Sequence, residues 1–211
     1  MIIAVDGPAA SGKGTIARAL AAHYRLPHLD TGLLYRAVGL SVLRSGGDPA
    51  DEADAFAECG FSDALLADPS LKSEAAGVAA SIVSVFPSVR ACLIERQRAF
   101  ARQPGGAVLD GRDIGTVIAP DADAKLYVEA SPTIRAQRRH AELRANGIEV
   151  DFGKILADIG ARDRRDMTRA TAPLARAADA ALLDTSDLDI DAAVDRAIRL
   201  VEDRIRTAAN D

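Results

Sequence analysis

Ile2-Ile3-Ala4-Val5-Asp6-Gly7-Pro8-Ala9-Ala10-Ser11-Gly12-Lys13-Gly14-Thr15 opens the chain with an apolar run, a glycine-rich turn and a lysine, and the helical pattern Gly14 to Ala22 follows at once. Strand, glycine-rich turn, helix is the order in which backbone N–H groups turn inward around phosphate oxygens. The helix N-terminus adds positive potential, and Lys13 supplies a charge for the outer phosphates. Gly7, Pro8, Ala9, Ala10, Ser11, Gly12, Lys13, Gly14 and Thr15 are therefore read as a cradle for the phosphates of ATP. The general pattern has Ser or Thr directly after the lysine, as a contact for Mg²⁺; here Gly14 intervenes and the Thr15 hydroxyl arrives one position late.

Working outward, short β-type runs alternate with longer helical ones. Strands are expected at Ile2 to Asp6, Leu26 to Asp30, Ala107 to Asp110, Lys125 to Glu129 and Ala181 to Asp184. Helices are expected at Gly14 to Ala22, Gly32 to Leu43, Val89 to Ala101, Thr133 to Asn146, Phe152 to Met167 and Ile190 to Arg206. That alternation predicts an α/β fold, a five-stranded parallel sheet covered by helices on both faces. The second and third strands are separated by about 76 residues and the fourth and fifth by about 51, where a crossover needs only a dozen or so. Two insertions are thus expected beyond the carboxyl ends of the strands, where such sheets bind ligands. The first has a turn-rich centre, Ser45 to Pro49 and Ala67 to Ser70, between helical pieces; the second is dominated by arginine.

Composition limits the function classes. The 211 residues are 48% hydrophobic and 27% charged, with a formal charge of −5. This describes one domain and a poor non-specific nucleic-acid binder. Alanine supplies 43 residues, so bulky core side chains are scarce, and 22 Arg stand against 4 Lys. The longest apolar run, Gly77 to Phe86, is too short for a membrane span and is broken by Ser81 and Ser84. An acid within the first apolar stretch and the lack of a basic start argue against a signal peptide, so a cytoplasmic location is expected. Cys59 and Cys92 fit neither a disulfide framework nor a zinc pattern and are expected as reduced, packed thiols.

A phosphate loop alone leaves kinases, motors and GTPase switches open. Neither asparagine, Asn146 or Asn210, is followed by lysine, so the Asn-Lys-x-Asp signature of guanine readers is missing. Arg135, Arg138 and Arg139 share one helix face, with Arg144 further along; Arg162, Arg165, Asp166 and Arg169 share another. Such stripes are usually solvated and bridged, for instance Arg162 to Asp166, yet clustered cations repel unless an anion sits among them. Arginine's planar fork suits phosphate oxygens, and phosphoryl transfer depends on positioning and charge neutralisation. Two turns complete an acceptor pocket. Thr31, after the second strand, is placed to cap the next helix, with Arg36 projecting toward the site. After the third strand, Arg112 and Asp113 can orient a phosphate and a base, and Asp110 can act on Mg²⁺ through water.

At these residues the sequence resembles the nucleoside monophosphate kinases, specifically the bacterial cytidylate kinase family. The resemblance lies in Asp6-Gly7-Pro8, Gly12-Lys13-Gly14-Thr15, Leu29 through Arg36, Ala79-Ala80-Ser81, Phe86 through Arg90, Arg96 through Phe100, Asp110 through Val117, Arg162 through Asp166 and Arg169 through Leu174. Gly-Lys-Gly-Thr is the form that this family uses. The resemblance implies a P-loop three-layer fold and transfer of the γ-phosphoryl of MgATP to CMP or dCMP by a monomer. It also implies that Ser81, Arg90 and Asp113 contact cytosine, and that Thr31, Arg36 and Arg112 approach the acceptor phosphate. Arg162, Asp166 and Arg169 are then expected at the sugar and phosphate. The catalytic set is Lys13, Arg112, Arg162 and Arg169; Arg138 and Arg139 join the ATP site, and Thr15 and Asp110 (through water) the metal. The chain divides into a core (about 1–30, 104–132 and 171–211), a helical acceptor-binding insertion (about 31–103) and an arginine-rich lid (about 133–170). Gly60 to Gly77 is too short and too poor in β-branched residues for the small sheet that family members usually carry there. A P-loop kinase for UMP, AMP or a metabolite, or a nucleotide-binding regulatory module, are the alternatives.

Overall fold

A computed structural model of the chain describes residues 1–145 and 147–208. Five parallel strands form one sheet: β1 (Ile2–Asp6), β2 (His28–Asp30), β3 (Ala107–Gly111), β4 (Ala124–Glu129) and β5 (Ala181–Asp184), in the order β2-β3-β1-β4-β5. The predicted α/β class and strand count hold. All five strands run the same way, so their acidic ends Asp6, Asp30, Asp110, Glu129 and Asp184 gather at one edge.

Helices α1 (Lys13–Tyr24) and α8 (Ile190–Ala208) cover one face, where Ile16, Leu20, Ala197 and Val201 pack on Ile3, Val5, Leu126 and Leu183. The other face carries Ala101, Ile114 and Ile118 against Ala4 and Leu109. Strand β2 starts two residues later than expected. Helix α1 ends with Arg25 left-handed at φ 55, Leu26 N–H turns back to Ala21 O (2.9 Å), and Pro27 has no N–H to give a ladder.

Between β2 and β3 the chain is helical: α2 (Gly32–Ser45), α3 (Glu52–Ala57), three short 3₁₀ turns between 58 and 72, α4 (Glu74–Val83) and α5 (Pro87–Ala101). Asp51, Asp68 and Ser73 start successive pieces by accepting backbone N–H groups from Ala53, Ser70 and Ala76. The expected absence of a small sheet agrees with this: among the described residues no strand lies between β2 and β3. Helices α2 and α4 approach so closely that a Cβ on Gly39 would stand 2.7 Å from Ala79 Cβ. The alanine-rich composition has this structural use, with Ala76, Ala79 and Ala80 all buried.

Between β4 and β5 stand α6 (Pro132–Ala145) and α7 (Phe152–Thr168), which share a small core of Ala136, Leu143, Ile155 and Ile159. The expected helix end at Asn146 and residues 209–211 lie outside the described residues, and the last helix runs past its expected end at Arg206 to Ala208. No single described helix is long and apolar enough to cross a membrane. Both cysteines are free thiols, but only Cys59 is packed; Cys92 is exposed, which corrects half of the expectation.

Candidate active site

The glycine-rich turn follows β1 as expected and has tight backbone requirements. A Cβ on Gly7 would lie 2.0 Å from Val128 O, and Gly12 takes φ 90 at the start of α1, where its carbonyl accepts from Thr15 and Ile16 (3.0 and 3.1 Å). Ser11 is fully buried and its Oγ has no partner among the described residues. Burial, together with the positive charges of Arg112 and Arg162, pulls the Lys13 ammonium down to about 8, against the pull of Asp110 and Asp30. A lysine held in this way gains when anionic oxygens arrive.

Beside the loop lies a cleft of about 430 Å³, the part open to solvent included, lined by Thr31, Ser81, Arg90, Arg112, Asp113, Arg162, Asp166 and Arg169 among others. The structure thus brings together eight of the nine residues expected around the acceptor, from five separate segments. Asp113 is the hub of one end. Arg90 Nη2 donates to its Oδ2 at 2.5 Å and Arg169 Nη2 reaches its Oδ1 at 3.5 Å, while Arg90 lies 5.6 Å from the centre of the Tyr35 ring. At the other end Arg112 Nε donates to Asp166 Oδ2 at 2.8 Å. Burial opposes both charges of that pair, yet Arg112 is held above its usual range by Asp166, Asp110 and Asp30, and Asp166 below its own by Arg112 and Arg162. Among the described residues Arg162 has no such acid in hydrogen-bond reach. Its Nε is buried without a partner, and burial plus the neighbouring Arg112 lower it to about 10. Among the described lining residues four guanidiniums face two carboxylates, leaving two positive charges for an anion to balance.

Several expectations are corrected. Arg36, the ninth residue, does not line the cleft; its guanidinium is held by Leu71 O (2.7 Å) and Ser73 O (3.2 Å). Thr31 does not cap α2 with its side chain. Its Oγ1 donates to Asp110 O at 2.8 Å, while Asp30 Oδ1 accepts from Gly32 N at 2.9 Å. Asp166 is bridged by Arg112, not by Arg162. The α6 stripe needs no foreign anion to offset repulsion. Arg135 pairs with Asp163 (2.6 and 3.0 Å) and holds Ala9 O, Arg138 holds Ser11 O and Thr185, and Arg139 pairs with Glu74 and Glu142. Sequence reasoning missed Asp163, Thr185 and Tyr35. Asp163 stood within the quoted run Arg162 through Asp166, but its partner is 28 positions away on another helix. Arg165, whose Nε donates to Ser81 Oγ at 3.2 Å, was noted only for its helix face.

The fit to Mg²⁺ is uneven. Among the described residues no group of three His, Cys, Asp or Glu could hold an ion by itself. A Cβ at Gly14, the position of the general loop's hydroxyl residue, would lie 3.6 Å from Asp110 Oδ2, so that carboxylate fits a water-mediated role. Its Oδ1 is engaged by His28 Nε2 at 2.8 Å. Thr15 fits less well, being exposed with its Oγ1 accepting from Arg18 at 3.3 Å.

A family model described as cytidylate kinase matches residues 3–203. The cytidylate kinase of Nitrobacter winogradskyi is 57% identical over 209 residues, 98% of this chain and 99% of that protein. Those of Xanthobacter autotrophicus (58% over 205 residues, 97% and 98%) and Rhodopseudomonas palustris HaA2 (56% over 203 residues, 96% and 96%) are similarly close. Among solved structures, an uncharacterized protein from Eubacterium ventriosum superposes with TM-score 0.56 at 16% identity, covering 96% of this chain and 98% of that one, a likeness of fold alone.

Proposed function

The chain belongs to the cytidylate kinase family, and from that membership we propose how its own residues carry out the reaction. The protein phosphorylates CMP at the expense of ATP, giving CDP and ADP. The observation that carries the assignment of residues is the cleft, in which Arg90, Arg112, Arg162 and Arg169 outnumber Asp113 and Asp166 beside Lys13.

The loop from Gly7 to Thr15 holds the ATP phosphates through backbone N–H groups and Lys13, with Ser11 Oγ as an additional donor. Arg138 and Arg139 lie on the ATP side, and Arg138 also braces the loop through Ser11 O. Asp113 accepts from the cytosine amino group, while Arg90 and Ser81 donate to its ring acceptors. Uracil reverses that pattern at position 4 and is disfavoured. Arg112, Arg162 and Arg169 hold the acceptor phosphate, with Thr31 and Asp166 orienting it and the sugar. The two spare positive charges match a phosphate dianion and offset its repulsion from the incoming γ-phosphoryl. Asp110 would hold Mg²⁺ through water when the ion arrives with ATP, and the ion would supply charge neutralisation for the phosphates. Thr15 was read with Asp110 as a metal contact and is the weaker of the two.

The core, acceptor-binding insertion and lid have the boundaries read from the sequence, and closure of the lid excludes water. Acceptance of dCMP rests on the family resemblance, and a cytoplasmic location on the whereabouts of the two nucleotides. A monomer suffices, since one chain supplies the entire cleft. Neither a kinase for another acceptor nor a non-catalytic module is favoured by the relatives. Coupled ADP release with CMP, dCMP, UMP, AMP and shikimate tests the reading: CMP and dCMP turn over fastest, and equal rates with UMP sink the roles of Asp113 and Arg90.

A further inference from the structure

Each strand of the sheet brings an acid to the same edge, and two of these acids act locally. Asp30 Oδ1 accepts from Gly32 N and Asp184 Oδ1 from Ser186 N, each two residues on, at 2.9 and 2.8 Å. Asp6 is different. Its Oδ1 accepts from Ile114 N at 2.9 Å and its Oδ2 from Gly115 N at 2.8 Å, across 108 and 109 positions. The carboxylate is only 5% exposed and immediately precedes Gly7. The turn it grips also presents Arg112 and Asp113, whose side chains hold Asp166 at one end of the cleft and Arg90 with Arg169 at the other. One side chain therefore connects the start of the donor loop to the turn that organises the acceptor cleft.

We propose that Asp6 is a positioning residue that fixes the turn of residues 111–115 against the donor loop and thereby sets the affinity for the nucleoside monophosphate. The proposal rests on the reading of Arg112 and Asp113 as acceptor contacts. Both carboxylate oxygens are needed, because two N–H groups converge on them. A protonated carboxyl or an amide offers one acceptor and sets a donor against the second N–H.

Burial pushes Asp6 up to about 7 although both N–H groups favour its charge. The groups that face it are Asp113 and Arg112 from the turn and, from β4, Tyr127, its partner in register; the methylenes of Lys125 pack on Gly115, with Nζ turned away to Asp179. The two-acceptor state is accordingly lost as pH falls through neutrality, and affinity for CMP falls with it.

Steady-state constants of Asp6→Asn and the wild type between about pH 6 and about pH 8.5 test this. The variant should raise KM for CMP about tenfold at the alkaline end while KM for ATP stays within about twofold. The variant-to-wild-type ratio for CMP should shrink toward one below pH 7; taking the ratio cancels titration of the CMP phosphate itself. Equal rises for both nucleotides, a ratio constant with pH, or no change overturns the proposal. Asp113→Asn, measured alongside, weakens CMP if the acceptor reading is right, whatever Asp6→Asn does. Should Asp6→Asn fail to fold, the Asp6 carboxyl carbon is followed by NMR in the wild type. Reciprocity requires saturating CMP to lower its titration midpoint, and an unmoved or raised midpoint overturns the proposal.

Discussion

Burial, reinforced by Arg112, outweighs the pull of Asp110 and Asp30 on Lys13, so its ammonium is weakly basic until phosphates arrive. ATP raises its affinity for protons. Above about pH 8, ATP binding should take up a fraction of a proton, seen by calorimetry in buffers of different ionisation enthalpy, and the affinity should fall as pH rises through that value. Lys13→Met should abolish this uptake and lower transfer by at least about 100-fold while leaving the thermal transition within a few degrees, since the side chain makes only a 3.4 Å contact with Pro8 O. At this scale the sequence is legible where a residue acts on a ligand and hard to read where it acts on the chain. Lys13, Arg112 and Asp113 were singled out because phosphate and base chemistry demand their types, and the fold gathers them at the cleft. Arg36 and Thr31 were given ligand-facing or capping roles because nothing in their neighbourhood reveals the carbonyls of Leu71, Ser73 and Asp110 that hold them.

Helices α2 and α4 show how an element can depend on missing side chains. Gly39 has no room for a Cβ, because Ala79 Cβ and backbone atoms of residues 79 and 80 stand 2.7 to 2.9 Å from where it would be. Gly39→Val should cost about 1–3 kcal/mol in urea unfolding, and because α4 carries Ser81 it should also raise KM for CMP. The strands and α-helices of the core were readable from periodicity, whereas the π-helical turn Ile114–Ile118 after β3 was not. The 3₁₀ turns between 58 and 72 were not, since their caps act over two or three residues and leave no repeating pattern. Pairing between elements was equally hidden: the α6 arginines looked like a stripe awaiting an anion, and only Asp163 on α7, Glu74 on α4, Glu142 on α6 itself and the carbonyls that hold Arg138 show how they are balanced.

In the whole molecule, a net charge of −5 surrounds a cleft with surplus positive charge. That contrast was inferable from where the arginines fall but not from their number. KM for both nucleotides should rise with salt, more steeply than the stability changes, as ionic-strength series of activity and of thermal melting can show. The α6–α7 pair, joined to the rest of the molecule by polar bonds to the phosphate loop, Thr185, Arg112, Glu74 and Ser81, closes its own small core of Ala136, Leu143, Ile155 and Ile159. Such a unit can open as a whole while the sheet stays intact. In amide hydrogen exchange its protected sites should therefore release together, at a free energy below that of global unfolding, and ATP should slow that shared step. Release of that kind would make the helical pair a separate cooperative element of the fold, with an opening rate that caps how fast product can leave.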